Sequence, residues 1–237
     1  MIGIRSNEMP LAALLVCLFL SAGFATTDHG TTYTTTFPLT ENPISENMHW
    51  INGKTTGLDW ADFASTRGLA IGLQRGPSGY DDSVAVLSGS WQPDQLAQAT
   101  VHTVNQNDAV VEELELRLRS SLAAHRSTGY EIMFRCSKTS EAYVSIARWN
   151  GPINDFTILT HHSGSQYGVS DGDVIKATIV GNLIRVYKNG VQVDQVNDNT
   201  YQTGSPGIGA YLEKATGLNG DYGFTSFTAS DATIQDK

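Results

Sequence analysis

Between Asp173 and Val196 the chain alternates apolar and polar residues through three short runs joined by two-residue links, and few folds accommodate that pattern. Ile175, Ala177 and Ile179 alternate in the first run, Ile184 and Val186 in the second, Val191 and Val193 in the third. A period of two gives a strand one face for a core and one for water. The links are Gly181-Asn182 and Asn189-Gly190. Asn-Gly tolerates the positive φ that a type I′ turn needs at both central positions, and the twist of that turn matches the strands it joins. The segment is therefore expected as a three-stranded antiparallel meander.

The same alternation predicts further strands near residues 33–37, 68–73, 83–87, 97–104, 130–136, 143–149, 155–160, 206–212 and 223–229. With 111–119 they make about a dozen strands at the spacing of a sandwich or barrel. Residues 42–67 contain Pro43, Asn52-Gly53, Gly57, Trp50 and Trp60, and read as a long ordered loop with short strands. Asn150-Gly151 reads as another turn. In Val111 to Arg119, Leu114, Leu116 and Leu118 face one way and Glu113, Glu115, Arg117 and Arg119 the other. On a helix those leucines would spiral round the surface, so a strand fits better. The leucines are expected between two layers and the charged row in water.

The N-terminus is expected to lie outside the fold. Arg5 precedes an apolar run from Leu11 to Leu20, and Ser21 to Ala25 supplies small residues, the pattern of a secretory leader over 1–25. An acylated Cys17 is disfavoured by bulky Val16 before it. The apolar run is too short for a membrane span, and no later segment reaches the ~20 apolar residues a span needs. The expected product is one domain over 26–237, secreted or periplasmic. Cys136 would then be its only cysteine, a small core residue with no disulfide partner. The net charge of −9 argues against nucleic acid and anionic membranes as partners.

Several segments taken in order carry a family likeness. They are Val111-Glu-Glu-Leu-Glu-Leu-Arg-Leu-Arg119, Gly129-Tyr-Glu-Ile-Met-Phe-Arg135, Tyr143-Val-Ser-Ile-Ala-Arg-Trp149, Gly172-Asp-Val-Ile-Lys-Ala177, Asn189-Gly190 and Ser205-Pro-Gly-Ile-Gly209. Together they resemble the concanavalin A-like lectin/glucanase superfamily, including laminin-G-like modules. The resemblance implies an all-β antiparallel sandwich of jelly-roll type, with one concave sheet across which polysaccharide or oligosaccharide lies. Its members include lectins, carbohydrate-binding modules, glucanases and polysaccharide lyases. The glucanase signature Glu-x-Asp-x-x-Glu and the Arg-(Ser/Thr)-Glu-Leu strand of alginate-lyase relatives are both missing here.

A non-catalytic, lectin-like carbohydrate binder is the first expectation. Trp149 and Tyr143 are expected to stack on sugar rings, and Glu115, Arg117 and Arg135 to hydrogen-bond across the concave sheet. Arg135 would supply a cation for an acidic sugar. Trp50, Trp60 and Trp91 are alternatives in loops. An enzyme is the second expectation, a glycoside hydrolase using Glu113 and Glu115 or a polysaccharide lyase using a Tyr/His pair. An extracellular protein-interaction module is the third. His161 and His162 are adjacent, so on a strand they point to opposite faces and cannot share a metal. One of them could work as a base with Tyr167. The resemblance also implies a structural calcium ion, for which Asp82 (beside Asp81) and Asp231 or Asp221 offer oxygen.

Overall fold

The computed structural model describes Gly3 and residues 30–75, 82–106, 108–214 and 218–232. Apart from Gly3, the expected leader over 1–25 lies outside the described residues, as does Asp81. Among the described residues fifteen strands follow one another. The first seven are β1 (Thr32–Thr35), β2 (Trp50–Asn52), β3 (Phe63–Thr66), β4 (Leu69–Gly72), β5 (Asp82–Leu87), β6 (Gln95–Thr103) and β7 (Val111–Ala123). Then come β8 (Arg126–Arg135), β9 (Tyr143–Gly151), β10 (Phe156–Ser163) and β11 (Val174–Val180). The last are β12 (Leu183–Lys188), β13 (Val191–Asn197), β14 (Ser205–Glu213) and β15 (Tyr222–Ser230).

They form two antiparallel sheets. One has eight strands in the order β13-β12-β11-β6-β15-β4-β3, with β1 also on β15; the other has seven, β10-β9-β8-β7-β14-β5-β2. β2 and β3 are short strands within residues 42–67, where the long loop was expected to carry them. No helix among the described residues is long and apolar enough to cross a membrane.

The meander forms as the alternation predicts. Asn189 and Gly190 both take positive φ, 50° and 79°, as a type I′ turn requires. Gly181 alone of its pair does so, at 56°. Ile175, Ala177, Ile179, Ile184 and Val186 enter the core. In β13 the register slips by one residue opposite Val186/Tyr187, so Val191 turns out to solvent while Val193 packs against the core. The expected turn at Asn150-Gly151 is instead the end of β9, and the chain reverses just after it, where Asp155 N donates to Pro152 O.

Leu114, Leu116 and Leu118 are fully buried between the sheets, beside Ile132, Phe134, Val144 and Ile146 from the neighbouring strands. Cys136 is a buried free thiol in the same core.

A bulge in β7 removes Arg119 from the charged row. The register with β8 shifts between Leu118 and Ser121, and Arg119 takes φ 46°. Its guanidinium swings to the end of the sandwich, donating to Pro93 O (2.6 Å), Tyr201 O (2.9 Å) and Gly181 O (2.8 Å). The bulged backbone fits because a glycine flanks it on each side. Gly129 and Gly204 have φ of 120° and 134°, and a Cβ on either would overlap the backbone of Arg119 and Ser120. Gly204→Ala is therefore expected to destabilise the fold by about 1–3 kcal/mol, read as a lower urea midpoint at unchanged m-value.

Candidate functional site

The chemistry collects on the outer face of the seven-stranded sheet. Because side chains alternate along a strand, each core residue leaves its neighbours on that face. β7 presents Glu113, Glu115 and Arg117 there, β8 presents Glu131 and Met133, and β9 presents Tyr143, Ser145 and Trp149. The registers set Arg117 opposite Glu131 and Glu115 opposite Met133, so three carboxyl groups converge. One oxygen from each of Glu113, Glu115 and Glu131 lies within 4.8 Å of the others.

This face is not the solvated surface expected of an alternating strand. Glu115 and Arg117 are 0% and 1% exposed. The segment after β2 folds back over them and is held by Ala61 N donating to Asp82 O at 2.8 Å. Leu58 and Trp60 from that segment pack with Val84, Val86 and Trp149 into a second, smaller apolar cluster. The Trp60 ring lies 4.9 Å from the Arg117 guanidinium and meets Trp149 edge-on at 4.5 Å. Arg117 thus lies against the Trp60 ring, where a cation over a ring face is favourable.

Within this cover the charges are paired unevenly. Arg117 Nη2 donates to Glu115 Oε2 at 2.7 Å and also pairs with Glu131 Oε2. Trp149 Nε1 donates to Glu131 Oε2 at 2.5 Å, and Tyr143 Oη donates to Glu113 Oε2. Burial pushes the Glu113 carboxyl up to about 8, and the Glu131 charge adds to the shift. Burial and the Glu131 charge also hold Glu115 well above the usual carboxylate range, and burial raises Glu131 against the pull of Arg117. Burial alone would weaken the charge on Arg117, but Glu131, Glu115 and Asp82 outweigh it and keep it cationic. One guanidinium among three buried carboxyls means that the cluster retains protons at neutral pH. Gly209 on β14 leaves room for it, since a Cβ there would overlap Glu115 Oε2 and lie 3.1 Å from Arg117 Nε. Gly209→Ala is expected to cost about 1–3 kcal/mol by overpacking, measurable by chemical denaturation.

Beyond Trp149 a groove of about 350 Å³ opens. Glu113, Glu131 and Asp82 lie along it, and Tyr211, Trp149, Phe156 and Ile158 form its apolar walls. Phe156 and Ile158 are 38% and 46% exposed, a conspicuous apolar pair on edge strand β10. His161 lies against Tyr143 (ring centres 5.3 Å apart) and hydrogen-bonds Ser145 Oγ at 2.6 Å and Ser163 Oγ at 2.9 Å. A groove with apolar walls and a few convergent polar groups has the general form of a small-ligand site.

The structure brings some of the predicted residues together and disperses others. Tyr143 and Trp149 line the groove, although Trp149 is 1% exposed, caught between Trp60 and Phe156 (ring centres 5.0 Å apart). Glu115 and Arg117 lie beneath the covered half. Arg135 shares the face but turns to the end of the sheet, donating to Glu141 O at 3.0 Å and Asp108 O at 3.1 Å. His161 and His162 diverge as expected. His162 leaves the groove to stack on Tyr167 and bond Asp194 Oδ1 at 3.1 Å. Glu131, Tyr211, Phe156 and the groove position of Asp82 were missed. The Arg117–Glu131 register was the signal within reach, because it follows from how β7 and β8 pair.

The expected calcium ligands do not assemble. Asp231 accepts the backbone amides of Thr31 and, at 2.6 Å, Gln92. Asp82 pairs with Tyr211, whose carbonyl accepts from Tyr222 Oη at the start of β15, whereas Asp231 follows the end of that strand. Asp82 therefore lies towards the start of β15 and Asp231 beyond its end. The converging glutamates do not suit calcium either. Calcium takes six to eight oxygens, and here one oxygen of each glutamate already accepts from Arg117, Trp149 or Tyr143.

No family model and no curated protein matches the chain. Solved structures match it in fold. The carbohydrate-binding module CBM66 from Bacillus subtilis is 15% identical, with 72% of this chain and 95% of that one covered and a TM-score of 0.52. The potassium-bound carbohydrate recognition domain of Emp46p is 12% identical over 84% of this chain and 95% of that one, with a TM-score of 0.55. The exoplasmic/lumenal domain of VIP36 in its Ca2+/Man-bound form is 10% identical over 86% and 91%, with a TM-score of 0.57. At these identities the likeness is one of architecture: the sandwich is a concanavalin A-like jelly roll.

Proposed function

We propose that this concanavalin A-like sandwich binds carbohydrate in the groove on the outer face of its seven-stranded sheet, the concave sheet of the family resemblance. The observation that carries the reading is the pairing of exposed Phe156 and Ile158 with the carboxyl groups of Glu113, Glu131 and Asp82 along one groove. Sugar rings offer apolar C–H faces and a rim of hydroxyls, and such a groove meets both. CBM66, a carbohydrate-binding module, and the carbohydrate recognition domain of Emp46p support it by analogy of fold. Polysaccharide pull-down and glycan-array binding test it. Phe156→Ala is expected to weaken retention about tenfold while leaving the melting temperature nearly unchanged, because the side chain is already part-exposed. A folded protein that retains no glycan would remove the reading.

We read residues 26–237 as a single exported domain behind the leader. N-terminal sequencing of the secreted or periplasmic protein should begin near Thr26.

Glycoside hydrolysis is a second reading, favoured by the groove-facing Glu113 carboxyl, which stays protonated to about pH 8. A general acid needs such a group, and Glu131 supplies a second carboxyl close to it. New reducing ends from a polysaccharide panel, lost in Glu113→Gln, would establish it. Elimination is less favoured, because no Lys or Arg among the described residues lines the groove to neutralise a uronate.

A further inference from the structure

The segment from Gly53 to Asp62 that covers Arg117 is lightly held. Its buried side chains Leu58 and Trp60 belong to the small separate cluster, not to the main core. Its base is tied to β5, where Gly53 N donates to Val84 O at 3.0 Å and Ala61 N to Asp82 O at 2.8 Å. Its tip meets the turn between β7 and β8 through one backbone bond, His125 N to Gly57 O at 3.0 Å, and the exposed pair of Asp59 with His125. An exposed pair of this kind holds little. Closure also leaves polar groups unmet. Trp60 Nε1 in the cover, and Arg117 Nε and Glu115 Oε1 beneath it, are buried without a hydrogen-bond partner. Each forfeits a bond it would make in water, so closure is opposed by atoms that it hides. The cover also hides the groups a sugar would use. Trp60 meets the Trp149 indole edge-on at 4.5 Å and lies 4.9 Å from the Arg117 guanidinium. Phe156 on the groove wall lies 5.0 Å from the same Trp149, so the covered part continues the groove.

We infer that the tip from Lys54 to Trp60 is a displaceable cover over a second sugar subsite, built from Trp149, Arg117 and Glu115, and that a glycan too long for the open groove displaces it. This rests on the carbohydrate-binding reading and extends its site. Trp60 stands where a sugar ring would pack against the Trp149 indole, and Arg117 offers donors to the hydroxyls of that ring. Opening leaves the sandwich folded, because the bonds of Gly53 and Ala61 to β5 lie at the base and not at the tip. A short glycan fills the open groove and leaves the cover in place.

A disulfide lock tests this. A Cβ on Gly57 would lie 3.3 Å from Ala124 Cβ, close to the Cβ spacing of a disulfide. Gly57→Cys with Ala124→Cys therefore staples the tip to the turn when oxidised and frees it when reduced. Gly57 has φ 85°, which strains a cysteine, so the variant is compared only with itself in the two redox forms. The probes are the tri- and hexasaccharides of cellulose, chitin, xylan and laminarin, titrated by calorimetry. For a glycan that binds, the reduced form should hold the hexasaccharide at least about tenfold tighter than the trisaccharide. Oxidation should cut that advantage to about twofold or less and leave the trisaccharide unaffected. Hydrogen exchange in the unmodified full chain carries the test if the lock does not form. The His125 amide, bonded across to Gly57, should exchange faster with the hexasaccharide bound and not with the trisaccharide. An equal hexasaccharide advantage in both redox forms, or His125 exchange that the hexasaccharide leaves unchanged or slows, would overturn the inference and leave carbohydrate binding standing. Failure of every sugar to bind a folded protein would overturn both.

Discussion

Arg117→Met is expected to cost about 3–5 kcal/mol of stability at pH 8 and distinctly less at pH 5. The guanidinium is buried, bonded to Glu115 and Glu131, and packed under Trp60. Methionine fills similar space but leaves the buried carboxyls without a cation. At pH 8 they must either stay charged in a dry site or bind protons from a proton-poor solution. At pH 5 protons are available and the carboxyls can be neutral, so the loss shrinks. Urea unfolding of both proteins at both pH values measures the difference. An equal loss at the two pH values would mean that Arg117 acts through packing rather than charge.

Stability of the native protein should fall as pH rises from about 5 to about 8, unlike the usual behaviour of acidic proteins. The sign follows from proton linkage. Burial raises Glu113 to about 8 and holds Glu115 and Glu131 high. On the opposite face, burial and the Asp221 charge raise Glu112 to about 7. Between the unfolded value near 4.5 and those folded values, the native state binds more protons than the unfolded chain. The stabilisation is complete below the unfolded value and is lost as pH climbs through the folded one, at ~1.4 kcal/mol per pH unit for each retained proton. Asp198 runs the other way. Burial would raise it, but the Thr200 amide and the Tyr130 hydroxyl hold it below 3.8, so its contribution is lost only in stronger acid. Maximum stability is expected near pH 5. Thermal melts from pH 4 to 9 measure the profile, and Glu113→Gln should flatten its alkaline limb. A melting temperature that rises between pH 5 and 8 would refute the assignment.

Much of the sandwich was legible in the chain because its signals are local. Leu114, Leu116 and Leu118 reach the core because a period of two puts them on one face whatever lies elsewhere. Asn189-Gly190 makes its turn because two adjacent residues tolerate positive φ. The site was legible only in part. Tyr143 and Trp149 were on the right face, but the groove wall on β10 and the place of Glu131 depend on strand order and register. Arg119 left its row at a bulge that Gly129 on β8 and Gly204 just before β14 make possible.

Alternation along β7 determined which side chains oppose the leucines, and composition determined that they are acidic and basic. Whether water reaches them was decided by the segment bearing Leu58 and Trp60, which closes over Glu115 and Arg117 and stops short of Glu113. Periodicity reports the direction of a side chain, a property of its own backbone. Burial of the second face is set by a piece of chain more than fifty residues away, and that contact leaves no mark on the local pattern.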